Sequence, residues 1–553
     1  MAQLEQIAAP GSEWWRSAVI YQIYPRSFAD ASGDGIGDLP GITSRLDSLR
    51  DLGIDAIWLS PFMTSPQKDA GYDVADYRDV DPLFGTLADF DEMLAEAHTR
   101  GIRVIVDLVP NHSSDQHVWF QEALKAGPGS PERARYVFRD GKGKNGELPP
   151  NNWESVFGGG MWERVVEADG APGQWYLHIF DPTQPDFDWT NEEVKEEFRS
   201  ILRFWLDRGV DGFRVDVAHG MVKEAGLPDY APVADADSMG GGEENVPYWG
   251  QNDVHDIYRD WHELLAEYDG DRALCGEAWL PTLKKTALWV RPDEMHQTFN
   301  FPYLMTPWDA KALGDVIRES LDEFGKVGAP STWVLSNHDV VRHASRLALT
   351  ADNPQGEGIG PETPSKPDTK IGLARARAAT MLMLALPGSA YLYQGEELGL
   401  PEAMEIPDEF RQDPTWFRTN GERYGRDGCR VPLPWEADAP AFGFNGTGLS
   451  WLPQPAEWAT YARDTETADE SSTLSLYKRL LSARRERGFG SGSLVWEDAG
   501  KDAVAFRRGD VHVLANLGTK PLPLPAGATV VLASQSFTGA AVPVDTAVWY
   551  TTA

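Results

Sequence analysis

Eight short apolar runs constrain this chain more than any other feature: "AVIYQIYP", "AIWLSP", "RVIVDLVP", "GFRVDVAH", "RALCGEAW", "HQTFNFPY", "STWVLSNHD" and "SAYLYQGEE". Most are followed by a stretch of helical periodicity, such as "GITSRLDSLRDLG" or "TLADFDEMLAEAHTRG", with a Gly at its close. Strands that are apolar at every position are buried on both faces, the pattern of a parallel sheet. Eight of them alternating with helices predict an α/β fold, a closed (β/α)8 TIM barrel.

The spacing is uneven in one place. Between the third run, ending near Asn111, and the fourth, starting near Gly209, lies a stretch too long for a plain βα connection, and its first part is rich in Gly, Pro, Asn and Trp. It reads as an inserted subdomain over the C-terminal rim, where a barrel builds its site. After the helix "SSTLSLYKRLLSARRER" the pattern turns to short alternating strands, as in "DAVAFRRGDVHVLANLG", expected to form a C-terminal antiparallel β-sandwich. The division is therefore 1–111 with 181–487 as the barrel, 112–180 as the insert and 488–553 as the sandwich.

Charge narrows the partners. Lys and Arg number 50 against 85 Asp and Glu, a formal charge of -35. Such a surface repels nucleic acid and anionic lipid, so neither is expected as a partner and a neutral substrate fits better. The 21 Trp and 17 Tyr offer flat amphipathic rings suited to sugar faces, though any single one is more often a core residue. The N-terminal "MAQLEQIAAPGSEWW" does not read as a signal peptide. The most apolar window, "AATMLMLALPGSAYLY", is broken by Pro387 and Gly388 and reads as a buried helix followed by a strand. Cys275 and Cys429 give no disulfide framework, so the expected location is the cytoplasm.

Polar residues gather where the runs end. Arg214 and Asp216 lie in "GFRVDVAH", Glu277 in "CGEAW", and His338 with Asp339 in "LSNHD". One carboxylate in an apolar strand can be a structural ion pair, but three on one rim converge on a common centre. Like charges held together push one pKa upward, so that one carboxyl can act as an acid while another stays ionised, as cleavage of an acetal between sugars requires.

In this order "DLVPNHSS", "GFRVDVAH", "CGEAW" and "LSNHD" resemble the motifs of the α-amylase family of glycoside hydrolases (family 13), in its α-glucosidase and oligo-1,6-glucosidase branch, over nearly the whole chain. The resemblance implies catalytic roles for Asp216 as nucleophile, Glu277 as general acid/base and Asp339 as the third carboxylate. It implies that Arg214 keeps Asp216 ionised and that His112 and His338 bind sugar hydroxyls. "KDAGYDVADY" resembles the segment that turns the family's cleft into a pocket, with Tyr72 stacking on the terminal sugar and Asp69 bonding its distal hydroxyls. Arg430 of "GCRVPLPW" looks like the arginine paired with such an Asp, while Phe157, Phe180 and Gln184 resemble pocket-wall residues.

The loop "DASGDGIGDL" spaces Asp30, Ser32, Asp34 and Asp38 like the first nine positions of an EF-hand, but Gly41 stands where the closing Glu would be. It is similar to the branch's loop for a structural Ca2+ or Mg2+, held through Asp30, Ser32, Asp34, the Ile36 carbonyl and Asp38; no cofactor is implied for catalysis.

The function expected is a retaining exo-α-glucosidase that removes terminal α-glucose from short oligosaccharides, with transglucosylation. "VDVAH" has Val217 as α-1,6-cleaving enzymes do but His219 where they carry Asn, and the reading adopted is α-1,4 over α-1,6. The alternative is a sucrose or maltose glucosyltransferase or isomerase on the same three acids. A non-enzymatic sugar-binding scaffold of the same fold would need a transmembrane helix and usually lacks the triad, so it is disfavoured.

Overall fold

The computed structural model describes residues 4–6, 13–231, 246–351, 353 and 356–552. All eight apolar runs form strands of one parallel sheet: Val19–Ile23, Ala56–Leu59, Arg103–Leu108, Gly212–Val215, Ala273–Gly276, Gln297–Thr298, Thr332–Val334 and Ser389–Tyr393. These barrel strands, one to eight in chain order, pair in the order six-five-four-three-two-one-eight-seven. A parallel bridge between Phe299 and Thr332 joins strands six and seven and closes the ring. The strands are buried almost throughout, which is why their sequences lack a polar alternation.

Local signals set the helices. Leu39–Leu52 starts at Asp38, whose side chain accepts from the Gly41 N–H, and stops at Gly53, where φ is 96°. Leu87–Thr99 opens with a capping box between Thr86 and Asp89. The apolar window 378–393 is, as expected, the end of helix Thr369–Ala385 followed by barrel strand eight. At Gly388, between them, φ is 110° and a Cβ would lie 2.2 Å from the Ser331 carbonyl oxygen, so only Gly lets the two segments meet. No helix among the described residues is long and apolar enough to cross a membrane.

Between barrel strands three and four stands a three-stranded antiparallel sheet of Phe138–Arg139, Pro172–Leu177 and Trp162–Val166. Five C-terminal strands and Leu4–Gln6 form a six-stranded antiparallel sheet backed by the short ribbon Leu522–Pro523 with Ala541–Val542. Ala505, Leu514, Val542 and Val548 pack between the two layers. The sheet also reaches the barrel helices, with Trp549 Nε1 donating to the Met381 carbonyl at 3.2 Å. One departure concerns the N-terminus: Leu4–Gln6, grouped above with the barrel, pairs antiparallel with Ser493–Trp496 of the C-terminal sheet. Such pairing covers an edge strand.

Candidate active site

Barrel strands three, four and five bring the first group together. Arg214 and Asp216 lie two residues apart and so share a face, and Arg214 is in register with Asp107 on strand three. Arg214 Nη1 is 2.9 Å from Asp107 and 2.5 Å from Asp216, and its Nη2 is 2.7 Å from Glu277. Three buried carboxyls thus share one guanidinium. Burial, only partly offset by Arg214, raises Asp216 well above the ordinary carboxylate value, with the charges of Glu277 and Asp107 adding to it. For the same reasons Asp107 is pushed up to about 7. Asp216 and Glu277 are within hydrogen-bonding reach of each other. Three acids facing one cation away from water retain a proton, which belongs to the group rather than to one residue.

A second group comes from the loops after strands two and seven. Burial alone would raise Asp339, but the charges of His338, Arg426 and Arg430 hold it well below the usual range. Burial also drives His338 itself far below its ordinary value, so it is neutral and the two arginines carry the effect. Tyr72 stacks on the His338 ring, with centroids 5.3 Å apart and planes 4° apart. Its hydroxyl is 2.5 Å from His338 Nε2, while His338 Nδ1 lies 2.6 Å from Gln22 Nε2. Both ring nitrogens are therefore engaged within the protein. His338, expected to bind sugar hydroxyls, is fully buried behind Tyr72 and supports that ring instead.

The cavity between these groups is lined by Asp69, Tyr72, His112, Phe157, Phe180, Asp216, Glu277 and Asp339, joined by Val156, Val217, Thr415, Arg423 and Arg426. Burial lowers His112 to about 4, so it is neutral at pH 7. Gln184 backs the wall, donating to Asp69 at 3.2 Å and lying 3.3 Å from His112. The insert supplies Phe157 and Phe180, whose ring centroids are 5.5 Å apart.

One pairing needs correction. Asp69 does not meet Arg430; its partner is Arg426, at 2.9 Å, which also touches Asp339 at 3.1 Å and Asp413 at 2.6 Å. Arg430 lies behind, donating to the His338 carbonyl at 2.8 Å and to Asp339 at 3.0 Å. The short turn Asp427–Cys429 separates the two arginines, and only the first reaches the cavity. The signal was a second Arg four positions upstream in "GRDGCR". Asp107 was likewise passed over, although a lone acid inside "VIVDLVP" is costly unless something pairs with it.

The loop 30–38 keeps its polar atoms for itself. Asp30 accepts from the N–H groups of Gly33 and Gly35 and from Asn445, and Asp38 from those of Ala31, Ser32 and Gly41. Asp34 accepts from the Ile36 N–H and Ser32 donates to Asp30. Among the described residues no group of three or more His, Cys, Asp or Glu is placed to hold a metal ion. The carboxylates of Asp30, Asp34 and Asp38 are each engaged by donors of the loop or its neighbours.

Residues 22–490 match the catalytic domain family of the α-amylases. A probable α-glucosidase of Rhizobium meliloti (strain 1021) is 37% identical over 540 residues, 93% of this chain and 92% of the relative. An oligo-1,6-glucosidase of Parageobacillus thermoglucosidasius is 35% identical, over 88% of this chain and 86% of that protein. Among solved structures, an α-glucosyl transfer enzyme superposes with a TM-score of 0.85 at 36% identity, covering 98% of this chain and 100% of the other. The trehalulose synthase of Pseudomonas mesoacidophila MX-45 superposes with a TM-score of 0.82 at 32% identity, over 98% and 100%. With a closed barrel, three acids at its rim and a family match over most of its length, this chain belongs to the α-amylase family of retaining glycoside hydrolases, in the α-glucosidase and oligo-1,6-glucosidase branch.

Proposed function

We propose that the protein is an exo-acting α-glucosidase that removes the terminal, non-reducing α-linked glucose from short oligosaccharides, favouring α-1,4 over α-1,6 links, with some transglucosylation. The observation that carries this reading is the buried Asp69–Arg426 pair, 2.9 Å apart in the wall of the cavity that also holds Tyr72, His112 and the three acids, a cross-link suited to block one end so that only a chain terminus enters. A cytoplasmic setting belongs to the same proposal, supported by the free thiols of Cys275 and Cys429.

Asp216 is the nucleophile in this reading. Its carboxylate attacks the anomeric carbon; the glycosidic C–O bond breaks, its electron pair goes to the leaving oxygen, and that oxygen takes the proton of Glu277. Glu277, now a carboxylate, removes a proton from water, whose oxygen attacks the same carbon while the ester bond's electrons return to Asp216. Arg214 touches both carboxyls, at 2.5 and 2.7 Å, and so holds the nucleophile and the acid side by side. Asp339, held ionised by Arg426 and Arg430, faces the positive charge that develops on the sugar ring.

The test uses maltooligosaccharides with a free or a chemically blocked non-reducing end. The free substrate is expected to be cleaved and the blocked one spared; equal rates would refute exo action. In the same assay Asp216→Asn should lose more than about 10³-fold in kcat, about 4 kcal/mol of transition-state stabilisation, with an unchanged fold by circular dichroism. A second reading, glucosyl transfer or isomerisation of sucrose or maltose, is favoured by the likeness to the α-glucosyl transfer enzyme. Any sugar hydroxyl placed near Glu277 can replace water, so the ratio of free glucose to bonds cleaved at high substrate concentration separates the two.

A further inference from the structure

The two oxygens of Glu277 are held differently. Oε2 is 2.7 Å from Arg214 Nη2 and accepts from the backbone N–H of Val217 at 3.1 Å. Oε1 accepts from the indole N–H of Trp279 at 3.2 Å. Both arrangements are rigid. Val217 has φ of 46°, a left-handed conformation that a β-branched residue adopts only under strain. Its carbonyl accepts from Gly220 at 2.9 Å, and the next N–H, of Ala218, donates to the Glu277 carbonyl at 2.8 Å. The ring of Trp279 lies flat on Phe301, with centroids 3.9 Å and planes 3° apart. Phe301 opens the helix Phe301–Met305, capped by Asn300.

We propose that Trp279 is a positioning residue for the acid–base step: it fixes Oε1 of Glu277 as the oxygen that gives and retakes the proton, while Oε2 carries the charge. Two N–H donors, one of them a guanidinium, already occupy Oε2, whereas the one N–H donor to Oε1 among the described residues is neutral. The indole N–H stabilises the negative charge left on the carboxylate once the proton has gone to the leaving oxygen. The charged groups facing Glu277 are Arg214 and Asp216 from strand four and Asp107 from strand three, with Asp339 across the same cavity. This inference rests on the proposed α-glucosidase activity and assigns one of its parts.

Two aryl glucosides test it independently of linkage preference. 4-Nitrophenyl α-glucoside has an acidic leaving group that needs little proton help; phenyl α-glucoside needs more. Trp279→Phe keeps a ring against Phe301 and removes the N–H together with part of the indole's stacking area. In this variant kcat/KM for phenyl glucoside is expected to fall about 10- to 100-fold and that for nitrophenyl glucoside less than about threefold. Phe301→Leu keeps the N–H but loosens the ring, and should show the same leaving-group bias at smaller size. If the wild-type protein cleaves both glucosides and either folded variant loses activity equally on the two, Trp279 is only a wall and this inference fails alone. A wild-type protein inert on both sinks the proposed function and this inference with it.

Discussion

Arg214 and Arg426 do parallel work on opposite sides of the cavity. Each is a cation shared by three buried acids, Arg214 by Asp107, Asp216 and Glu277, and Arg426 by Asp69, Asp339 and Asp413. Removing such a cation leaves uncompensated buried charge, which costs about 3–5 kcal/mol. Arg426→Met is therefore expected to lower stability by that amount in urea denaturation and to abolish substrate binding. Arg430→Met should cost less, because Asp339 keeps Arg426. A larger loss at Arg430 would contradict the pairing described here. Neither arginine has a sequence neighbourhood that reveals which acid it meets, since Asp69 lies hundreds of positions upstream.

Among the elements, the loop 30–38 shows how one spacing can serve two ends. Its alternating acids have the periodicity of a cation loop, yet the same oxygens accept backbone N–H groups, and Asp38 caps the helix that follows. A turn satisfied in this way needs no ion to hold its shape. Thermal unfolding is expected to shift by less than about 1 °C between excess chelator and millimolar Ca2+, because an ion that does not bind the folded loop adds nothing to its stability. A rise of several degrees with Ca2+ or Mg2+ would instead support the structural cation that the family resemblance implies. Asp38→Ala should cost about 1–2 kcal/mol in either medium, the usual loss for a helix cap.

Over the whole molecule the buried acids set the pH dependence of stability. Burial pushes Glu396 up to about 8 and Glu402 up to about 7. Unfolded, both ionise near the ordinary Glu value of about 4.3. Between pH 7 and 8.5 the folded chain therefore still binds protons that the unfolded chain has lost, so stability falls as pH rises. The expected loss is about 1–2 kcal/mol, seen as a falling Tm in scans across that range, and a flat or rising Tm would show these groups to be ionised in the fold. Groups of this kind are affordable only in a large core, and the barrel with its helices provides one.

Taken by itself, the sequence determined the barrel, its eight strands, the insert and the trailing sheet, because continuous apolar runs and helix caps act over a few residues and need no knowledge of distant partners. It also placed Asp216, Glu277 and Asp339 on one rim, since a closed ring brings strand ends together whatever their spacing in the chain. Only the tertiary structure decided that Arg426 rather than Arg430 meets Asp69, that His338 is walled off behind Tyr72, that Asp107 joins the acids around Arg214 and that Trp279 grips one oxygen of Glu277. These are matters of a few ångströms between side chains from separate loops, and the energy of a buried charge depends on that distance more than on any local pattern.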